Sequence, residues 1–126
     1  MPLARIDVPA GNTPAYRTTI GAVVYDAMLE TLKVPKDDRF QIIAEHAPGD
    51  LVVDPTYLGI QRSSQCIIIQ LTLSEGRTVE VKEAFYKAVV EGLHARLAIR
   101  KEDVFINLVE VKKENWSFGN GEAQYV

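Results

Sequence analysis

Shifting this sequence by 65 positions lays its second half on its first, and no other property of the chain restricts the fold as much. Gly11 falls on Gly76, Thr13 on Thr78, Leu32 on Leu97, Lys36 on Lys101, Asp38 on Asp103, Phe40 on Phe105 and Glu45 on Glu110. Val34 over Ile99 and Ile43 over Leu108 keep apolar character at the same offset. One offset shared by turn, cap and core positions marks a duplicated structural unit.

Each unit reads as strand, helix, strand. Residues 12–32 carry Tyr16, Ile20, Val23, Val24, Ala27, Met28 and Leu32 at helical spacing, so one apolar face is expected. Thr13 can cap the free N–H groups of the first turn, and Pro14 suits the first helical position, where no donor is needed. The second helix is expected over residues 78–97, with Val81, Phe85, Ala88, Val89, Gly92 and Leu93 facing inward and Glu80 and Glu83 complementing the helix dipole. Strand-like runs at 2–8 and 40–45 flank the first helix, and runs at 66–73 and 104–111 flank the second. The halves then span about 2–46 and 66–111, joined by a loop at 47–65 rich in Pro, Gly and polar residues, with a short strand expected at 51–53. A C-terminal segment, 112–126, follows.

The implied fold class is α+β. Two right-handed β-α-β units give a four-stranded mixed sheet with both helices on one face, folded as a single domain over residues 1–126. The other sheet face should stay apolar at Leu3, Ile68, Ile106 or their neighbours, which predicts an oligomer.

Composition removes several classes of function. Fourteen Lys and Arg against 17 Asp and Glu give a formal charge of −3, with the basic residues scattered, which speaks against nucleic acid as a partner. No apolar run reaches membrane-spanning length, so no membrane association is expected. The lone Cys66 can form no intrachain disulfide and leads the apolar run Cys66-Ile67-Ile68-Ile69, where packing is its expected role. A reducing, cytoplasmic setting fits that usage. His46, at a strand end, and His94, near a helix end, are expected at the surface. No spacing of His, Cys and carboxylates resembles a metal site and no glycine loop resembles a phosphate cradle, so no cofactor is expected.

Pro2 is the residue with chemical potential. Removal of Met1 would leave a secondary amine at the head of a buried strand. An α-amino group titrates at about 7.7–8.0, and burial or a nearby cation lowers that value, so such an amine can serve as acid or base near neutrality.

Several features together carry a resemblance over essentially the whole chain. They are Met1-Pro2-Leu3, the run from Val34 to Gln41 that reads Val-Pro-Lys-Asp-Asp-Arg-Phe-Gln, Leu58-Gly59-Ile60, Gly76-Arg77-Thr78 and Trp116-Ser117-Phe118-Gly119. In these the chain resembles the tautomerase superfamily, in particular its malonate semialdehyde decarboxylase branch. The resemblance implies a homotrimer and makes Pro2 the central catalytic group. It makes Asp38 the acid beside the proline amine and Arg77 the cation that holds a substrate carboxylate. Trp116 and Phe118 are implied as an apolar wall that excludes water.

The substrate so implied is a small carboxylate-bearing oxo acid or its enol, decarboxylated as in malonate semialdehyde or shifted between keto and enol forms. The chain departs from the decarboxylase pattern at one point. Ser74, Glu75 and Gly76 precede Arg77 where that branch has a second arginine, and Arg62 in the loop is the candidate substitute. A non-catalytic oligomeric binding module is the alternative of another class.

Overall fold

The computed structural model describes residues 2–126, so the state of Met1 and its removal lie outside the described residues. Four strands form one sheet: β1 (Leu3–Pro9), β2 (Phe40–His46), β3 (Ile67–Ser74) and β4 (Val104–Val111). Their order is β2-β1-β3-β4, with β1 parallel to β2, β3 parallel to β4, and β1 antiparallel to β3. Two helices, α1 (Pro14–Ala27) and α2 (Val79–Leu97), supply the crossovers within the halves.

The duplication is visible in the backbone. Thr13 caps α1 by accepting from the Tyr16 N–H, and its mate Thr78 caps α2 by accepting from the Val81 N–H, both at 3.2 Å. Gly11 and Gly76 both take the positive φ that turns each first strand toward its helix. Lys33 and Ala98, also 65 apart, both end their helices in the left-handed region. The first helix nevertheless stops being α-helical at Ala27, and residues Met28–Leu32 form a π-helical turn in which the Thr31 hydroxyl donates to the Ala27 carbonyl at 2.8 Å. The sequence pattern cannot register that change, because Met28 and Leu32 stay buried through it.

Period-two alternation sends Ala4, Ile6 and Val8 of β1 and Ile67, Ile69, Leu71 and Leu73 of β3 to the helix side, where they are buried. Ile20, Val23, Val24 and Ala27 of α1 and Phe85, Val89 and Leu93 of α2 complete one core shared by both halves. Neither half buries its apolar face without the other. The far sheet face carries Leu3, Phe40, Ile42, Ile68, Phe105 and Val109, of which Phe40 is 48% and Phe105 46% exposed.

One expectation is narrowed and one corrected. Of Ile106 and its neighbours it is Phe105 that contributes β4's apolar surface to the open face, since Ile106 pairs with Ile69 and packs against the core. No strand forms at 51–53; the segment crosses the sheet as irregular chain before a 3-10 turn at Tyr57–Gly59. Val52 and Val53 lie over Ile68 and Phe105 on the open face of the sheet, not alongside the free edge of β2 or β4.

The helices meet closely where Gly92 faces Val23. A Cβ on Gly92 would stand 2.7 Å from Val23 Cγ1, well inside contact distance. Gly92→Ala should therefore lower unfolding free energy by about 1–3 kcal/mol in urea denaturation. The same substitution in a Val23→Ala background should cost less, because the clashing methyl is gone.

Candidate active site

The antiparallel register Leu3↔Thr72 brings the start of β1 to the end of β3, and the parallel register Leu3↔Phe40 brings the start of β2 alongside. Pro2, Asp38, Ser74 and Arg77 are thereby gathered at one end of the sheet. The C-terminal segment closes this end from above. Trp116 donates its indole N–H to Ser74 Oγ at 3.1 Å and stacks on Phe118 with centroids 5.4 Å apart, and Phe118 meets Tyr125 edge to face at 5.0 Å. Gln124 pins the segment by accepting the Phe118 N–H at 2.9 Å and donating to the Gly119 carbonyl at 2.7 Å.

Beneath this wall lies a cavity of about 200 Å³ lined by Pro2, Leu3, Phe40, Trp116, Ser117 and Phe118. Pro2 itself is buried. The lining is apolar, and because Leu3 and Phe40 belong to the open sheet face, the cavity opens toward it.

Asp38 and Asp103, equivalent under the duplication, have parted in environment. Both are buried, at 6% and 2% exposure. Asp103 is fully engaged: Oδ1 accepts the Ser63 N–H at 2.7 Å, Oδ2 accepts the Ser63 hydroxyl at 2.6 Å, and Arg100 Nη1 lies 3.5 Å away. Asp38 has no hydrogen-bond partner for either oxygen among the described residues. Burial pushes its carboxyl above the ordinary 3.8. Its charge, after burial, also raises the Tyr125 phenol, which places Tyr125 in the same electrostatic neighbourhood.

Arg77 donates from Nη1 to the Ser74 carbonyl and from Nη2 to the Leu32 carbonyl, both at 3.2 Å. It thus bridges the end of β3 and the C-terminus of the π-helical turn. Nearby Glu110 pairs with Lys82 at 2.7 Å, and no ion pair involves Arg77 among the described residues. The guanidinium stands at the same sheet end as Pro2 without lining the cavity wall.

Arg62 is at the other end of the sheet. Its Nη1 donates to the Asp54, Tyr57 and Ile60 carbonyls, and it lies with Ile68 and Phe105, which pair near the start of β3. Within one chain it is not brought to Pro2. His46 bonds Asp7 through Nε2 at 2.6 Å, again away from Pro2, and His94 contacts the Ile99 carbonyl through Nδ1 at 3.2 Å. Cys66 is buried, and burial pushes its thiol up, away from nucleophilic character. Among the described residues no helix is long and apolar enough to cross a membrane. Sequence reasoning overlooked Phe40, Ser74 and Tyr125. The match of Phe40 with Phe105 was the available signal for the first, whereas nothing in the sequence marks Tyr125.

Two family models, both described as tautomerase enzyme, match residues 38–119 and 2–61. The chain belongs to the tautomerase family. Among curated tautomerases it is similar to the probable tautomerase YusQ of Bacillus subtilis (strain 168), 37% identical over all of this chain and 99% of the relative. The probable tautomerase YrdN of the same organism is 32% identical over all of this chain and 97% of the relative. Among solved structures, the FG41 malonate semialdehyde decarboxylase inhibited by 3-bromopropiolate superposes with TM-score 0.91 and 40% identity, covering 98% of this chain and 93% of that one. A fused 4-OT that forms a symmetric trimer gives TM-score 0.80 and 27% identity over 98% and 97% of the two chains. These tautomerase-fold neighbours share the four-stranded mixed sheet with two helices described above.

The buried, unpartnered Asp38 has a thermodynamic signature. A carboxyl whose folded value is raised costs nothing below its unfolded value and its full penalty above the raised one, so its contribution to stability falls as pH rises through that window. In a chain that keeps Met1, Asp38→Asn should raise the stability at neutral pH by about 1–3 kcal/mol. Thermal scans in an acid series should show the gain shrinking to nothing as pH falls to the ordinary aspartate range.

Proposed function

We propose that this tautomerase-family protein acts on a small 3-oxo acid through the amine of Pro2, with decarboxylation as its reaction. The observation that carries the reading is the orphaned Asp38 carboxylate, buried at the sheet end where β1 begins. An ammonium on Pro2 is the partner such a carboxylate lacks, and the carboxylate in turn holds that amine protonated. A protonated amine donates to a carbonyl oxygen; it does not act as a base.

The step then follows from charge. Arg77 anchors the substrate carboxylate or its approach, having no acidic partner of its own and lying beside the N-terminus of α2. The bond between the carboxyl carbon and the α-carbon breaks, carbon dioxide leaves, and the electron pair moves toward the carbonyl oxygen as Pro2 delivers a proton to it. The product is an enol that ketonises to the aldehyde. Trp116, Phe118 and Phe40 exclude water, which strengthens the interaction of ammonium with the developing oxyanion. The two malonate semialdehyde decarboxylase structures at TM-score 0.91 support this choice of substrate class.

A second reading, a 1,3-keto-enol shift without loss of carbon dioxide, is favoured by one feature: Ser74, Glu75 and Gly76 offer no second cation beside Arg77. The pH profile separates the two. A decarboxylase loses kcat as Pro2 is deprotonated, whereas a tautomerase using Pro2 as base gains it.

The open sheet face and the cavity mouth at Leu3 and Phe40 support assembly as a homotrimer, as in the symmetric fused 4-OT trimer. Sedimentation should give three times the 14.0 kDa chain mass. Ile42→Glu, on the open face, should shift it toward monomer with loss of activity.

Intact mass and peptide mapping after exposure to 3-bromopropiolate test the site directly. A chain lacking Met1 with one adduct on Pro2 is expected, and Pro2→Ala should lower kcat by about 10²–10⁴-fold. Arg77→Gln should lower kcat/KM on the oxo acid through the lost carboxylate contact. Retained Met1 with scattered lysine labelling, or a Pro2→Ala variant of unchanged activity, would instead identify a binding module.

A further inference from the structure

The offset that relates the two halves also relates two pockets. Leu3 and Phe40 lie beneath Ser117 and Phe118 in the Pro2 cavity, and their mates Ile68 and Phe105 lie beneath Val52 and Val53, the mates of Ser117 and Phe118. The second pocket holds about 220 Å³ against about 200 Å³ for the first. The irregular chain at 51–62 therefore does for the second half what the C-terminal segment does for the first.

Chemically the two have diverged. In place of Pro2 the second half has Ile67, whose nitrogen is an ordinary mid-chain amide and can carry no proton chemistry. Where the roof of the first pocket is Trp116, Ser117 and Phe118 and carries no charge, Arg62 enters the lining of the second together with Tyr57 and Asp54. Arg62 is fixed by Nη1 on three backbone carbonyls at 3.0–3.4 Å, while Nε and Nη2 make no hydrogen bond among the described residues. No ion pair involves it there either. The nearest acid on the rim, Asp54, has Oδ1 occupied by the Thr56 N–H at 2.9 Å.

An immobilised guanidinium with one edge free, set against apolar walls, matches a carboxylate with a short hydrocarbon tail: two parallel N–H bonds to the oxygens and burial for the tail. We propose that this pocket is a second, non-catalytic site for a small aliphatic monocarboxylate, held by Arg62 and sandwiched by Val52, Val53, Ile68 and Phe105. The volume admits only a few carbon atoms. The site does not depend on the chemistry assigned to Pro2, since its own counterpart of that residue is inert.

Two measurements on the full chain test it. Crystals soaked in 4-bromobutyrate should show anomalous bromine density between Ile68 and Phe105 with the carboxylate on Arg62. In solution, the Ile68 methyl resonance should shift on titration with butyrate, and Arg62→Gln should weaken that response at least tenfold while Arg77→Gln leaves it unchanged. Bromine found only under Trp116, a pocket filled by side chains of a neighbouring copy, or an Ile68 response indifferent to Arg62 would each overturn the proposal. So would bromine at the site in crystals without any Ile68 shift in solution, since that is binding at crystal concentration only.

Discussion

The antiparallel pairing of β1 with β3 is the contact through which everything else is arranged. Among the described residues it is the only seam in the sheet between the two halves, and its register runs from Leu3↔Thr72 to Asp7↔Ile68. Because the strands oppose one another, the head of each first strand lies at the tail of the other half's. Residues far apart in sequence, Pro2 and Asp38 on one side and Ser74 and Arg77 on the other, meet at one end for this reason. The same seam forces α1 and α2 side by side, where Gly92 admits Val23, and so produces one core in place of two half-buried ones. A slip of one residue along this seam would turn the apolar set of one strand, Ile6 and its neighbours in β1 or Ile69 and its neighbours in β3, away from the helices and dismantle core and site together.

Within that frame, duplication offers a natural control on what a buried carboxylate is for. Asp103 shows the structural use: two bonds to Ser63 tie the connecting loop to the entry of β4. Asp38, in the same local geometry, has kept the burial and lacks the partners. An orphaned buried carboxylate is a standing cost in folding free energy, and such costs persist where the chemistry of a site calls for them. The contrast between the two aspartates is more informative than either alone, since the fold clearly can satisfy an acid at this position.

Much of the fold could be read from the chain because its signals were local and repeated. Thr13 and Thr78 before helical periodicity, Gly11 and Gly76 at the turns and the alternating strands all rest on short-range backbone physics. What escaped was non-local. The face on which Ile106 or Phe105 would lie depends on strand register, which periodicity leaves free by one residue. The π-helical turn at Met28–Leu32 keeps the same residues buried as an α-helix would and so leaves no trace in the pattern. For the candidate site, Pro2 was singled out from the chain itself, and Asp38 and the Trp116–Phe118 wall only by resemblance. Tyr125 was not, because its edge contact with Phe118 follows from how the C-terminal segment folds back.

That segment stands outside the repeated units. Trp116, Phe118 and Tyr125 are held to the body by one indole bond to Ser74 and by stacking among themselves, and none of the three belongs to the shared core. A change among them alters the shape above Pro2 while leaving the helices and the sheet as they were. Substrate preference in this architecture can therefore drift under selection almost independently of thermal robustness. Lineages that keep the same scaffold are free to differ in which small molecule fits beneath that wall.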